Sequence, residues 1–232
     1  MKILGVDSSA TAASVAIMED ERLIGEFFIN TKLTHSQTLV PMINELLTNT
    51  NTSLSDIDVL AVNTGPGSFT GVRIGVCAVK GLAMPQNKPC ASVSTLKSMA
   101  HNLSHIDCIV CTVMDARCNQ VYNALFDCEN GEITRLCDDR ALKIDELKQE
   151  VSRFSKKVYL VGDGAKLCFE SFSDLENIVL APEILRYQRA SGVCKEAMKE
   201  CSEFLTPACL MPRYLRLPQA QRELKKRMEE NK

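Results

Sequence analysis

The residues with the clearest chemical potential are those of the turn Asn63-Thr64-Gly65-Pro66-Gly67-Ser68-Phe69-Thr70-Gly71-Val72-Arg73-Ile74-Gly75. It follows the apolar run Val59-Leu60-Ala61-Val62 and opens into a helix-like stretch ending near Ala83. Backbone N–H groups at a helix start attract anions, and glycine lets a chain approach a ligand closely. The turn is neither of the common phosphate motifs. Gly71 is followed by Val72-Arg73 rather than Lys-Ser/Thr, so it is not a P-loop. From Gly65 to Gly71 it is one residue too long for Gly-x-Gly-x-x-Gly. A second polar turn, Gly5-Val6-Asp7-Ser8-Ser9-Ala10-Thr11, joins two strand-like runs. Through Asp7 and its backbone it could hold a phosphate or a metal-bound water, yet Asp and Ser also suit any hairpin turn. Asp7, Ser8, Ser9, Gly65 and Gly67 are therefore the candidate phosphate-binding positions.

Other groups are less specific. His101 and His105 have the i, i+4 spacing of a zinc-binding helix pair, without the glutamate of His-Glu-x-x-His or an evident third ligand. They read as surface or capping histidines. No Gly-x-Ser-x-Gly elbow marks a nucleophile. The 11 cysteines are odd in number and scattered, which points to reduced thiols in a cytoplasm. Cys108 and Cys111 have chelating spacing but lie in a strand-like run, where positions three apart face opposite ways. Near the C-terminus, Arg213 and Arg216 could grip an anion, or the segment Pro212–Ala220 could pack back with its arginines solvated; composition favours packing.

The elements that must position these residues follow from patterning. At 232 residues, 45% hydrophobic and 24% charged, the chain is an ordinary globular sequence. No apolar run reaches the ~20 residues of a membrane span, and the start is too short in apolar residues for an export signal. The net charge of −2 provides no global positive field for RNA. Strands are expected over Ile3–Asp7, Ser14–Glu19, Leu23–Ile29, Asp58–Asn63 and Cys90–Val93, with helices over about Ser36–Thr48, Thr70–Ala83 and Ser94–Leu103. Strands near Ile106–Met114, Gln120–Phe126, Ile133–Leu136 and Lys157–Val161 follow, with helices near Ile144–Phe154, from Ala165, and over Ala190–Phe204. Three strands followed by alternating helices and strands indicate mixed sheets with helices on their faces.

Two helices carry the most apolar surface. In the first, Leu39, Val40, Ile43, Leu46 and Leu47 fall at helical spacing. In the second, Val72, Ile74, Val76, Val79 and Leu82 wrap nearly around it, with Gly71, Gly75, Ala78 and Gly81 between. A helix apolar on most sides is buried on most sides, and another subunit is expected to cover one of them. The expected interface is Leu39, Met42, Ile43, Leu46, Val72, Gly75, Val76, Val79 and Leu82. On that reading Gly75→Arg or Val79→Glu leaves the fold intact and breaks association.

Together these segments closely resemble the TsaB (YeaZ) family of tRNA threonylcarbamoyladenosine biosynthesis subunits. The resemblance rests on Ile3–Ser9, Thr34-His35-Ser36, Gly65–Gly75, Lys80-Gly81-Leu82-Ala83 and Pro212–Ala220, and is strongest over residues 1–100. It implies an α/β, two-lobed actin-like (ASKHA) fold with mixed sheets flanked by helices and a reduced second lobe. Residues 1–103 would form the N-terminal lobe with its dimerisation helices, 104–207 a smaller α/β lobe, and 208–232 a tail packing on the first lobe. It also implies a noncatalytic cytoplasmic subunit with no cofactor of its own, in which Asp7, Ser8, Ser9, Gly65 and Gly67 are vestigial phosphate loops. The expected partners are a TsaD-like catalytic paralogue and a TsaE-like ATPase, which would hold ATP or ADP and metal. Together they transfer threonylcarbamoyl from its adenylate to N6 of adenosine 37 in tRNAs reading codons that begin with A. The chain would form a homodimer in isolation, meet tRNA only through the complex, and have no membrane contact. Catalytic relatives place a His-x-x-x-His metal pair where this chain has Thr95 and Met99, and neither replaces imidazole well. Two alternatives remain in view: an actin-like ATPase or phosphotransferase using Asp7 and the glycine turn, and a metal-dependent glycoprotease-like hydrolase.

Overall fold

The structure, a computed structural model, describes residues 1–31, 33–200 and 204–216. The chain opens with β1 (Lys2–Asp7), β2 (Ala12–Glu19) and β3 (Arg22–Asn30), then α1 (His35–Asn49), β4 (Val59–Gly65), α2 (Phe69–Ala83), β5 (Cys90–Ser94) and α3 (Thr95–Ala100). The first sheet has the order β3-β2-β1-β4-β5. β1, β2 and β3 run antiparallel, whereas β1, β4 and β5 are parallel, with Ile3 beside Val59 and Val6 beside Val62. β1, β2 and β4 are buried along almost their whole length. Burial of both faces replaces alternation with continuous apolar runs.

Helices α1 and α2 lie on one face of this sheet. Leu39, Ile43, Leu46, Val72, Val76 and Val79 pack there on Leu4, Val6, Val15, Leu60 and Val62. Burying each such aliphatic side chain contributes roughly 1.5–3 kcal/mol. This corrects the expected interface. Leu39, Met42, Ile43, Leu46, Val72, Gly75, Val76 and Val79 are all buried within this one chain, and only Leu82 is part-exposed. The stripe that faces a sheet and the stripe that faces another subunit leave the same periodic signal. The helices' open side is formed instead by Val40, Pro41, Asn44, Cys77, Gly81 and Met84.

The second sheet is built from β6 (Cys108–Arg117), β7 (Gln120–Glu129), β8 (Glu132–Arg135), β9 (Arg140–Lys143), β10 (Val158–Val161) and β11 (Ile178–Leu180), with α4 (Ile144–Val151), α5 (Ala165–Ser171) and α6 (Glu183–Arg186). Its order is β11-β10-β6-β7-β8, and β9 also pairs with β7. The sequence pattern does not announce β9, β11 or α6, which span only three or four residues. Cys108 and Cys111 belong to cores on opposite faces of β6, as alternation requires.

Helix α7 (Ala190–Glu200) corrects the expected division of the chain. The sequence places it in the second lobe with residues 104–207, but Ala190, Val193, Cys194 and Ala197 pack on Ile3, Ala16, Ala61 and Ala91 of the first sheet. A Cβ on Gly5 would lie 2.5 Å from Cys194 Sγ and 2.6 Å from Ala190 O. Small side chains on the helix and no side chain on the strand allow this approach. Residues 201–203, the end of the helix expected from sequence, lie outside the described residues.

The segment 204–216 then returns along the first lobe. Leu205 and Cys90 exchange backbone hydrogen bonds of 2.8 Å at the edge of β5. Lys80 Nζ donates to Ala208 O and Leu210 O at 3.1 and 3.2 Å. Arg213 N donates to Thr64 O at 2.8 Å. Leu217 to Ala220, the rest of the C-terminal signature, lie outside the described residues. The whole is a two-lobed α/β fold of two mixed sheets flanked by helices, its second sheet reduced to short strands beyond β6 and β7.

Candidate functional site

The two polar turns meet, and each fills the other. Ser68 N donates to Ser9 O at 2.7 Å, and Ser8 Oγ donates to Gly71 O at 2.9 Å. A Cβ on Gly67 would lie 2.5 Å from Ser9 O, and one on Gly71 would lie 2.1 Å from Ser8 O. Gly65, at φ 130°, leaves room for Arg213 O, which a Cβ would approach to 2.3 Å. The glycines thus serve contact between chain segments. Ser68 also caps α2, its side chain accepting from Gly71 N.

Asp7 lies inside this junction and is completely buried. It accepts from Ser9 N at 3.1 Å, from Ser9 Oγ at 3.0 Å and from the Asn63 amide. Asn63 Nδ2 also donates to Ser98 Oγ at 2.9 Å, carrying the network into α3. Burial pushes the Asp7 carboxyl above the usual range, against the hydrogen bonds from Asn63 and Ser9. His35 completes the junction: its Nε2 donates to Ala10 O at 2.6 Å and ties the start of α1 to the β1–β2 turn. The structure therefore brings Asp7, Ser8, Ser9, Gly65 and Gly67 together, but Asp7, Ser8 and Ser9 are consumed by protein partners.

Beside the junction, between the two sheets, is a cleft of about 530 Å³. Ser68 and Thr70 line it from the start of α2, Asp115 and Arg117 from the end of β6, and Asp163 from the turn after β10. Arg213, Tyr214 and Arg216 wall it from the returning segment. Arg216 Nη1 reaches across to Ala116 O at 2.8 Å. Phe69 and Tyr214 stack with centroids 4.7 Å apart, and Arg73 caps Phe69 at 3.7 Å while its Nε donates to Tyr214 Oη at 2.7 Å. The Asp163 carboxyl reaches solvent through the cleft, yet desolvation and the nearby Asp115 charge push it up to about 6. Asp115→Asn should bring the Asp163 titration back toward the ordinary carboxylate range, as followed by carbonyl NMR. An unmoved midpoint would show that Asp115 does not perturb it.

A third constellation escaped the sequence reading. Glu196 on α7 lies 2.9 Å from His101 Nε2 and 3.0 Å from Lys97 Nζ, with all three side chains buried. His101 is therefore not a surface histidine, whereas His105 is exposed. The signal was available: Glu196 sits within the stripe Val193, Cys194 and Ala197, where a charge needs a partner. Thr95 and Met99 are completely buried. Among the described residues no cluster of three or more His, Cys, Asp or Glu is arranged to hold a metal, and no helix is long and apolar enough to cross a membrane. The ten described cysteines are free, and burial pushes the thiols of Cys108 and Cys128 up to about 11 and 12.

Comparison with known proteins adds relatives to this geometry. Residues 24–224 match the family model for TsaD, tRNA N6-adenosine threonylcarbamoyltransferase. The tRNA threonylcarbamoyladenosine biosynthesis protein TsaB of Bacillus subtilis is 30% identical over 75% of this chain and 76% of its own length. The protein of the same description from Escherichia coli is 36% identical over 71% of this chain and 72% of its own. The solved structure of YeaZ from Pseudomonas aeruginosa superposes with a TM-score of 0.75 at 25% identity, covering 92% of this chain and 99% of that one.

Proposed function

The chain belongs to the TsaB (YeaZ) family, and from that premise we propose that it is the noncatalytic docking subunit of a tRNA threonylcarbamoyladenosine biosynthesis complex. Its partner is a TsaD-like paralogue that holds the metal and carries out threonylcarbamoyl transfer to adenosine 37, with a TsaE-like ATPase joining the assembly. In isolation the same surface closes a homodimer, since one self-complementary patch can accept a like or a related subunit.

The observation that carries this reading is the outer side of α1 and α2. Val40 and Met84 are 51% and 62% exposed there, beside Pro41, Cys77 and Gly81. A Cβ at Gly81 would meet nothing within 4 Å, so this side is open to another helix. The chemistry-bearing positions support the same reading. Asp7 is enclosed by Ser9 and Asn63, and Thr95 and Met99 are sealed in the interior.

Cys77→Arg and Gly81→Arg test it, because both positions are exposed and neither change disturbs the interior. Each variant should fold with stability within ~0.5 kcal/mol of the parent. Each should be monomeric and bind the TsaD-like partner about 100-fold or more weakly, since an unpaired charge buried in a contact costs about 3–5 kcal/mol. Size-exclusion chromatography and titration calorimetry read both effects. Unchanged association in both variants, or transfer by the purified chain alone, would overturn the proposal.

A further inference from the structure

We propose that the mouth of the inter-sheet cleft, where Arg73, Arg117, Arg213 and Arg216 surround the Phe69–Tyr214 stack, binds single-stranded RNA directly. Three elements that are far apart in sequence converge there: the start of α2, the tip of the β6–β7 hairpin and the returning C-terminal segment. Arg135, Arg140 and Arg189 each pair with a carboxylate. Among the described residues, none of the four arginines at the mouth does. Their polar contacts are instead the Tyr214 hydroxyl for Arg73 and the Ala116 carbonyl for Arg216. Three arginines lining one opening and a fourth on its Phe69 ring, none of them in a salt bridge among the described residues, form a local positive field.

The aromatic pair completes the recognition chemistry. Tyr214 is held by its stack on Phe69 and by the Arg73 hydrogen bond, yet remains 43% exposed. A fixed, accessible ring beside arginines is the usual platform for unpaired bases, whose faces stack while the backbone meets the cations. Inside the cleft the charge reverses, because Asp115 and Asp163 lie there. They repel a phosphate seated deeply, so a strand crossing the mouth fits better than a mononucleotide in the interior.

Charge along the sequence supports the same occupant. Residues 213–232 contain seven of the 27 basic residues and three of the 29 acidic ones, a net of +4 against −6 for the remainder. The net charge of −2 averages two opposed regions, which is why it argued against RNA contact. The basic stretch begins at the mouth, with Arg213 and Arg216 on its wall.

The choice of RNA rests on the family reading, but the two proposals fail separately: Cys77→Arg should abolish partner association without altering RNA affinity. The test is fluorescence anisotropy of the full-length chain with a labelled RNA stem–loop, with the same RNA closed into a duplex, and with ATP as competitor. Arg117→Glu combined with Arg213→Glu should weaken stem–loop binding at least tenfold. It should also reduce the slope of log affinity against log salt by about 1.4, roughly 0.7 per lost phosphate contact. Tyr214→Ala should cost roughly tenfold, with the melting temperature of each variant unchanged. Arg22→Glu, at the start of β3 beside Glu19 and outside the cleft lining, should bind like the parent. Stem–loop affinity insensitive to the cleft substitutions, equal loss with Arg22→Glu, equal affinity for the duplex, or displacement by ATP as effective as by unlabelled RNA would each overturn the proposal.

Discussion

Gly75→Arg is expected to give no folded protein, whereas Gly81→Arg on the same helix should fold normally. A Cβ at Gly75 would lie 2.5 Å from Ser8 Oγ and 3.3 Å from Val62 Cγ2. A guanidinium there would have to displace the β1–β2 turn and enter the core without a counter-charge. Burying an unpaired charge costs about 3–5 kcal/mol, and overpacking adds about 1–3 kcal/mol. Together these approach the whole stability of a typical domain, about 5–15 kcal/mol. Val79→Glu, at a completely buried position, should fail in the same way. The expectation from sequence that either change spares the fold is therefore corrected. Gly71→Ala provides a milder form of the test, because its methyl would meet the Ser8 backbone oxygen at 2.1 Å. Its expected cost is about 3 kcal/mol. Urea titration and soluble yield decide the matter; a parent-like midpoint for Gly75→Arg would mean that α2 does not seat on the β1–β2 turn.

Glu196→Ala should destabilise the protein by about 3–5 kcal/mol, because it leaves Lys97 and His101 beside α7 without the carboxylate they share. Glu196→Gln should cost less, since the amide oxygen still accepts one hydrogen bond. The pair also gives a pH signature. Burial raises the Glu196 pKa, but the hydrogen bonds and charges of His101 and Lys97 outweigh it and hold the carboxyl below its usual value. A carboxyl depressed in the folded state stabilises fully above its unfolded pKa of about 4.3. That contribution is lost as pH falls through the lower folded value. The parent should therefore lose stability below about pH 4.3 more steeply than Glu196→Gln. Parallel acid limbs for the two proteins would show that the native state does not favour the ionised carboxylate.

The sequence by itself determined the long elements and the first sheet. Continuous apolar runs at Ile3–Val6 and Val59–Val62, and helical spacing from Leu39 and from Val72, require strands and helices buried against one another. It also determined where the sharp turns fall, because Gly65 occupies a backbone conformation that few other residues accept. Only the tertiary structure decided what those features face. Periodicity records that a stripe is buried, not whether a sheet or a second chain buries it, so Leu39 to Val79 were legible as apolar but misassigned to an interface. Glycine density likewise records close approach without naming what approaches. Ser8, Ser9 and Arg213, distant in the chain, fill the space that side chains at these glycines would need. The short strands β9 and β11, the seat of α7 on the first sheet and the convergence of Arg117 with Arg213 depend on contacts across many residues, which no local pattern encodes.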